Sequence, residues 1–228
     1  MRSAFALGLH RPIETDSIFP PAEVIVRRNL WRSLFVLDRF LAASLGRPTA
    51  ISEDDCCAGS LSAPEKPISA EASIASGGLD AAVRSCQVIG QILRKVYAKR
   101  RASTRLASEI AENSKKWMSS LHPDLHSSHA SDGTLRPIHG IAILHVNLFY
   151  YHSIILLTRP FFLYVFYKIQ QGKSAENPPP TIRFSSRMEK FCEVCVEAST
   201  KTIDLVQAAF AANYLPQRNP FVLYVASC

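Results

Sequence analysis

The sequence predicts an all-α protein, a multi-helix bundle of long helices with two polar linkers. Three observations carry the prediction. Apolar residues recur at three-to-four spacing in long segments, the period of one helix face. Glycine and proline stand at the ends of those segments, where helices stop. No apolar-polar alternation of a half-buried strand and no internal repeat emerges along the 228 residues.

The elements follow in order. "SAFALGLH" reads as a helix end, closed by Arg11-Pro12, and residues 13–21 as a loop with Pro20-Pro21. A long helix is expected from Ala22 to Leu45. Gly46 stands where a left-handed cap belongs, and Pro48 forbids continuation. Residues 47–68 are a loop. A second long helical region covers Ser69 to Leu121, weakened at Ser76-Gly77-Gly78, where two helices could meet. Residues 122–137 form a polar linker rich in turn residues. A third helix runs from Ile138 to Thr158, and Pro160 is expected to bend or break it. A second linker spans about 170–183. A fourth helix covers Phe184 to Ala212, and a last one starts near Pro220. A helix of two turns is marginal unless it packs. That short last helix, with Met1 almost inside a helix, predicts one partial domain over 1–228, truncated at both ends.

Hydrophobic residues make up 47% and charged residues 20%, which excludes a disordered chain and allows a sizeable core. The net charge of +7 favours acidic partners, but the charge is scattered. Six unevenly spaced cysteines do not read as a disulfide scaffold, and a reduced, intracellular setting fits them better. Cys192 and Cys195 share one helix face without a second pair. Cys56 and Cys57 are adjacent, and His122, His126 and His129 lie in a linker. None has zinc-site spacing. No phosphate loop, nucleophile elbow or HExxH pattern appears, so no catalytic residue is assigned.

The run from Pro137 to Thr158 contains no Lys, Arg, Asp or Glu. Its three histidines and its asparagine would be costly in lipid, so a buried helix is the reading adopted. The alternative is a membrane-associated helical protein anchored by residues 138–167.

On a helical wheel, Leu30, Leu34, Leu37, Leu41 and Leu45 form a stripe flanked by Trp31 and Phe35, expected to face the core. Arg28, Arg32 and Arg39 fall beyond one edge and are expected in solvent. Asp38 falls inside the apolar arc. A buried carboxylate needs a partner, and Arg159 or a histidine of the third helix is the one expected.

"GLHRP" (8–12), "RRNLWRSLFVLDRFLAASLGRPTAISEDD" (27–55) and "HVNLFYYHSIILLTRPFFL" (145–163) together resemble the fungal-specific transcription factor domain. This is the middle homology region of zinc binuclear cluster regulators. The positions that match its pattern include Trp31, Asp38, Arg39, Gly46, Arg47, Pro48, Arg159 and Pro160. Residues 198–210 and 219–227 are similar to its next two helices. The chain departs at "CCAGSLSAPE", where the family often continues Asp-x-x-x-Pro.

The resemblance implies an all-helical regulatory domain of a factor controlling RNA polymerase II transcription in the nucleus, not an enzyme. It implies DNA binding only through an N-terminal zinc cluster missing from these residues, and no cofactor in this chain. Partners would be transcriptional co-regulators or a small effector, with a homodimer also expected, and no membrane. "RKVYAKRRASTR" (94–105) is the densest basic run. A solvated helix face is its plain reading; an import signal or a phosphorylation site would use Lys99, Arg100, Arg101 and Ser103.

Overall fold

The computed structural model describes residues 1–11, 17–56, 59–62, 70–99, 102–173 and 184–215. Among these the chain is helical and contains no strand. Helix α1 spans Arg2–Ala6 and α2 Pro21–Leu45. Helix α3 spans Ala70–Ile92 and runs into a π turn, Leu93–Tyr97. Then come α4 (Thr104–Ser119), α5 (Pro137–Lys173) and α6 (Ser186–Ala211). The expected last helix from Pro220 and most of the second linker lie outside the described residues.

The most apolar helix, α5, is the axis of the bundle. It packs most extensively on α6 and α3, and α3 in turn packs on α2. One core cluster gathers Trp31, Phe35, Ile51, Ile89, Phe149 and Phe191; a second gathers Leu125, Ile143, Leu148, Tyr151 and Leu205. Helix α5 contributes to both. It is long and apolar enough to cross a membrane, yet 72% of its most apolar window is buried against the other helices. Its uncharged run is core, as a helix apolar on all sides should be.

Three expectations need correction. Helix α3 does not break at Ser76-Gly77-Gly78. It passes through, and the helical run ends instead after Tyr97, with the next helix starting at Thr104. At Gly78 a Cβ would lie 2.8 Å from the Ala142 Cβ of α5, so the glycine permits a close approach of α3 and α5. The helix-weakening residue is there for packing, and neighbouring α5 supplies the stability that propensity withholds.

Pro160 does not end α5, which is continuous for 37 residues. A proline removes the bond to the carbonyl four residues back, here that of Leu156. The Tyr97 hydroxyl donates to that carbonyl at 2.9 Å. The π turn, closed by the Ala98 N–H on the Leu93 carbonyl at 2.8 Å, ends on Tyr97. Replacing Tyr97 by Phe is therefore expected to cost about 1–2 kcal/mol of unfolding free energy. In a Pro160→Ala background, where residue 160 regains its N–H, the same change should cost under about 0.5 kcal/mol, a difference a double-mutant cycle reads directly.

The third correction concerns α2. Leu30, Leu37, Leu41 and Leu45 are exposed by 43–57%, and only Leu34 of the stripe packs on the core. The buried face is Trp31, Arg32, Phe35, Asp38, Arg39 and Ala42. The wheel weighted apolar character, but the partners of α2 accept arginine on its buried side. Leu37→Lys should consequently change stability by no more than about 0.5 kcal/mol, the range of exposed positions. A drop of several kcal/mol in chemical unfolding would restore the leucine stripe to the core.

The linker after α4 is tied down. It makes two short 3-10 turns, Pro123–Leu125 and Ser127–His129. Asn147, fully buried on α5, donates to the carbonyl of Leu125 at 2.8 Å and to that of Ile143 at 2.7 Å. Tyr214 donates its hydroxyl to the Asp132 carbonyl.

Candidate functional site

The residues singled out from α2 build a buried polar lock. Gly46 caps α2 in the left-handed region at φ 62°, and the Arg47 N–H reaches back to the Ala42 carbonyl at 3.1 Å. That cap turns the chain sharply back over the helix it has just left. Residues 50 and 51 then pass beside Asp38. Asp38 Oδ1 accepts the Ala50 N–H at 2.9 Å, and Oδ2 accepts the Ile51 N–H at 3.1 Å. Arg39 Nη1 donates to Asp38 Oδ2 at 2.7 Å and to the Ile51 carbonyl at 2.9 Å.

The partner of Asp38 is therefore neither Arg159 nor a histidine of α5. It is the next residue, with two amides of the following loop. Arg39, expected in solvent, is 1% exposed and lies over the Phe35 ring at 4.2 Å. Its Nη2 stands 3.6 Å from Glu53, which also pairs with Arg94 of the π turn at 3.4 Å. Gly90 of α3 makes room: a Cβ there would sit 2.7 Å from Arg39 Nε. Arg32 is also fully buried, paired with Asp80 of α3 at 3.3 Å. Burial pulls its guanidinium below the ordinary arginine value, and Asp80 opposes that shift.

The ends of the two motifs face one cavity of about 730 Å³. Arg47 and Pro48 line one side, the π turn with Arg94 and Tyr97 another, and Leu156 and Arg159 of α5 the third. The structure thus brings Gly46, Arg47, Pro48 and Arg159 together around one cavity, which Asp38 and Arg39 do not line. Trp31 is not part of this group. It is fully buried against Phe5 (5.4 Å, edge-on) and His10 (5.9 Å), which closes α1 onto α2. Pro160 sits one residue behind Arg159, with its orphaned carbonyl served by Tyr97.

Of the basic run, Lys99 and Ser103 are exposed, and Ser103 precedes the first turn of α4; Arg100 and Arg101 lie outside the described residues. Cys195 is buried and Cys192 half-buried, both as free thiols. Among the described residues no three His, Cys, Asp or Glu side chains gather as a metal site requires. Sequence reading missed Gly90, Glu53, Arg94 and Tyr97. Only Tyr97 had a signal, since Pro160 leaves a carbonyl that some donor must satisfy.

His152 of α5, 3% exposed, has both ring nitrogens without a hydrogen-bond partner. Burial, and secondarily Arg159, push its pKa from the ordinary 6.5 down to about 4. The unfolded chain takes up this proton near pH 6.5 and the folded chain only near 4. Stability is whole above that window and falls as pH drops through it. The melting temperature should therefore be lower at pH 5 than at pH 7.5, and His152→Leu should shrink the difference.

The all-helical body carries the Leu-Asp-Arg…Gly-Arg-Pro lock and, across the cavity, the second Arg-Pro motif, the two features by which the sequence resembles a class of transcription regulators. The family described as the fungal-specific transcription factor domain matches residues 1–127, and the chain belongs to it. An uncharacterized transcriptional regulatory protein of Schizosaccharomyces pombe is 26% identical over 90% of the chain and 24% of its own length. Filamentous growth regulator 27 of Candida albicans is 26% identical over 89% of the chain and 26% of its own. Transcription factor FBD3 of Fusarium pseudograminearum is 25% identical over 96% of the chain and 31% of its own. The chain thus spans about a quarter to a third of the length of these relatives. They and the family are transcription regulators, not enzymes. No solved structure matches.

Proposed function

We propose that this chain is the regulatory and interaction body of a nuclear fungal transcription factor controlling RNA polymerase II transcription. Residues 1–228 form one partial domain of that factor. DNA reading is supplied by a zinc binuclear cluster outside these residues, so zinc belongs to that cluster. The observation that carries the reading is the match to the fungal-specific transcription factor family over residues 1–127. The alignment of nearly the whole chain with a quarter to a third of longer regulators supports a body that works beside other parts.

In this role the bundle receives transcriptional co-regulators or a small effector, or a second copy in a homodimer, and passes the result to the DNA-bound parts. The lock is structural: it holds the α2 terminus, the loop after it and the π turn in one register. The basic segment between Lys99 and Ser103, two residues that are exposed, serves import or phosphorylation.

Mapping the transcript and the open frame ahead of Met1 tests the zinc assignment. Two CxxC pairs in frame, each followed by a further cysteine, are expected. A frame closed at Met1 in every transcript contradicts it.

A further inference from the structure

A second cavity, of about 270 Å³, opens between α3, α4, α5 and α6, and shares no lining residue with the cavity of Arg47 and Arg159. Its volume lies just below the ~300–1,000 Å³ of small-molecule sites, which limits a ligand to a compact one. The floor is apolar: Ile92, Leu157, Phe191 and Val194 contribute to it. Three cations line it, Lys115, Arg187 and Lys190, against one carboxylate, Glu112.

Lys115 stands 3.8 Å from Glu112, and both are largely exposed, so that pair is weak. Arg187 and Lys190 make no ion pair among the described residues, although both stand at the edge of an apolar hole. Ser114, on the wall, is 4% exposed, and its hydroxyl has no hydrogen-bond partner. Buried hydroxyls are ordinarily satisfied, and one beside an open cavity points to a polar atom that arrives with a ligand.

We infer that this pocket binds a small organic acid with an apolar body. The body fills the floor between α5 and α6, the carboxylate meets Arg187 and Lys190, and Ser114 donates to the bound molecule. Arginine favours a carboxylate because its planar fork matches the two oxygens. A ligand held here touches four helices at once, so it would set the packing of α4 and α6 on the central helix. The assignment deepens the regulatory reading by naming a site and a class for its effector.

The test is calorimetric titration of the 228-residue chain with octanoate and 4-phenylbutyrate, beside the uncharged octanol and 4-phenylbutanol. At least one acid should bind, at least tenfold more tightly than its alcohol. Arg187→Ala with Lys190→Ala should remove that preference and leave alcohol binding unchanged. Both side chains are exposed, so the melting temperature should stay near the parent's. If the double variant does not fold, Lys115→Gln carries the same comparison and should weaken the acid severalfold. No binding of either acid overturns the assignment, as does an acid affinity equal to the alcohol's or unmoved by the charge variants. A chain that binds an acid while its promoter-tethered form leaves transcription unchanged overturns the regulatory reading instead, and the pocket stands.

Discussion

Asp38→Ala is expected to destabilise the protein by about 3–5 kcal/mol, the cost of breaking a buried pair by removing one partner. The magnitude follows from what is left behind. Arg39, 1% exposed, would keep its charge with Glu53 at 3.6 Å as the one carboxylate left to offset it among the described residues. The Ala50 and Ile51 amides would lose their acceptor, and Ile51 itself is fully buried. Domains are stable by only ~5–15 kcal/mol, so the change removes a large part of the total. Urea unfolding of the purified variant gives the number. Asp38→Asn should cost less, because it keeps an acceptor for one amide and loses the charge. A loss below about 1 kcal/mol for the alanine variant would mean that the lock is solvated.

Trp31→Ala should cost about 3–5 kcal/mol, the range of large aromatic truncations in a core. Trp31 has no exposed surface and belongs to the cluster that includes Phe35, Cys86 and Ile89. It is also the surface on which α1 closes. Gly8 turns the chain in the left-handed region at φ 67°, which brings Phe5 and His10 against the indole. A helix of five residues cannot persist alone, so removing the indole should release α1 as well as open a cavity. Trp31→Phe keeps an aromatic face and should recover more than half of the loss. Chemical unfolding of both variants, with protease cleavage between Leu7 and Phe19 as a second readout, separates docking from packing.

How far the sequence could be read depends on which forces act locally. Helix α2 was legible to within one residue because proline and glycine punctuate it, and their effects are steric and local. The uncharged stretch of α5 was legible as core because polarity inside it argues against lipid. The path of the chain after Gly46 was not legible. It returns Ala50 and Ile51 to Asp38, and no spacing rule predicts that a carboxylate will bond to amides twelve and thirteen residues on. The wheel failed for a related reason. It treats arginine as solvent-facing, while Arg32 and Arg39 are held inside by Asp80 on another helix and by a loop.

Gly77-Gly78 and Pro160 failed alike. Each has a local cost that reads as a break, and each is offset by a neighbour that sequence order conceals. For Gly78 it is the close approach of Ala142, and for Pro160 the hydroxyl of Tyr97, 63 residues earlier. The family motifs themselves were visible, but their meeting around one cavity is a property of the fold.

The proposed regulation of transcription depends on the packed body of the domain. The most direct measurement is reporter transcription from a promoter bearing the site of an unrelated DNA-binding module fused to residues 1–228. The expected output differs severalfold from the module alone, and Asp38→Ala abolishes that difference at equal protein level. Output equal to the module alone, from a fusion that accumulates and occupies the promoter, would contradict it.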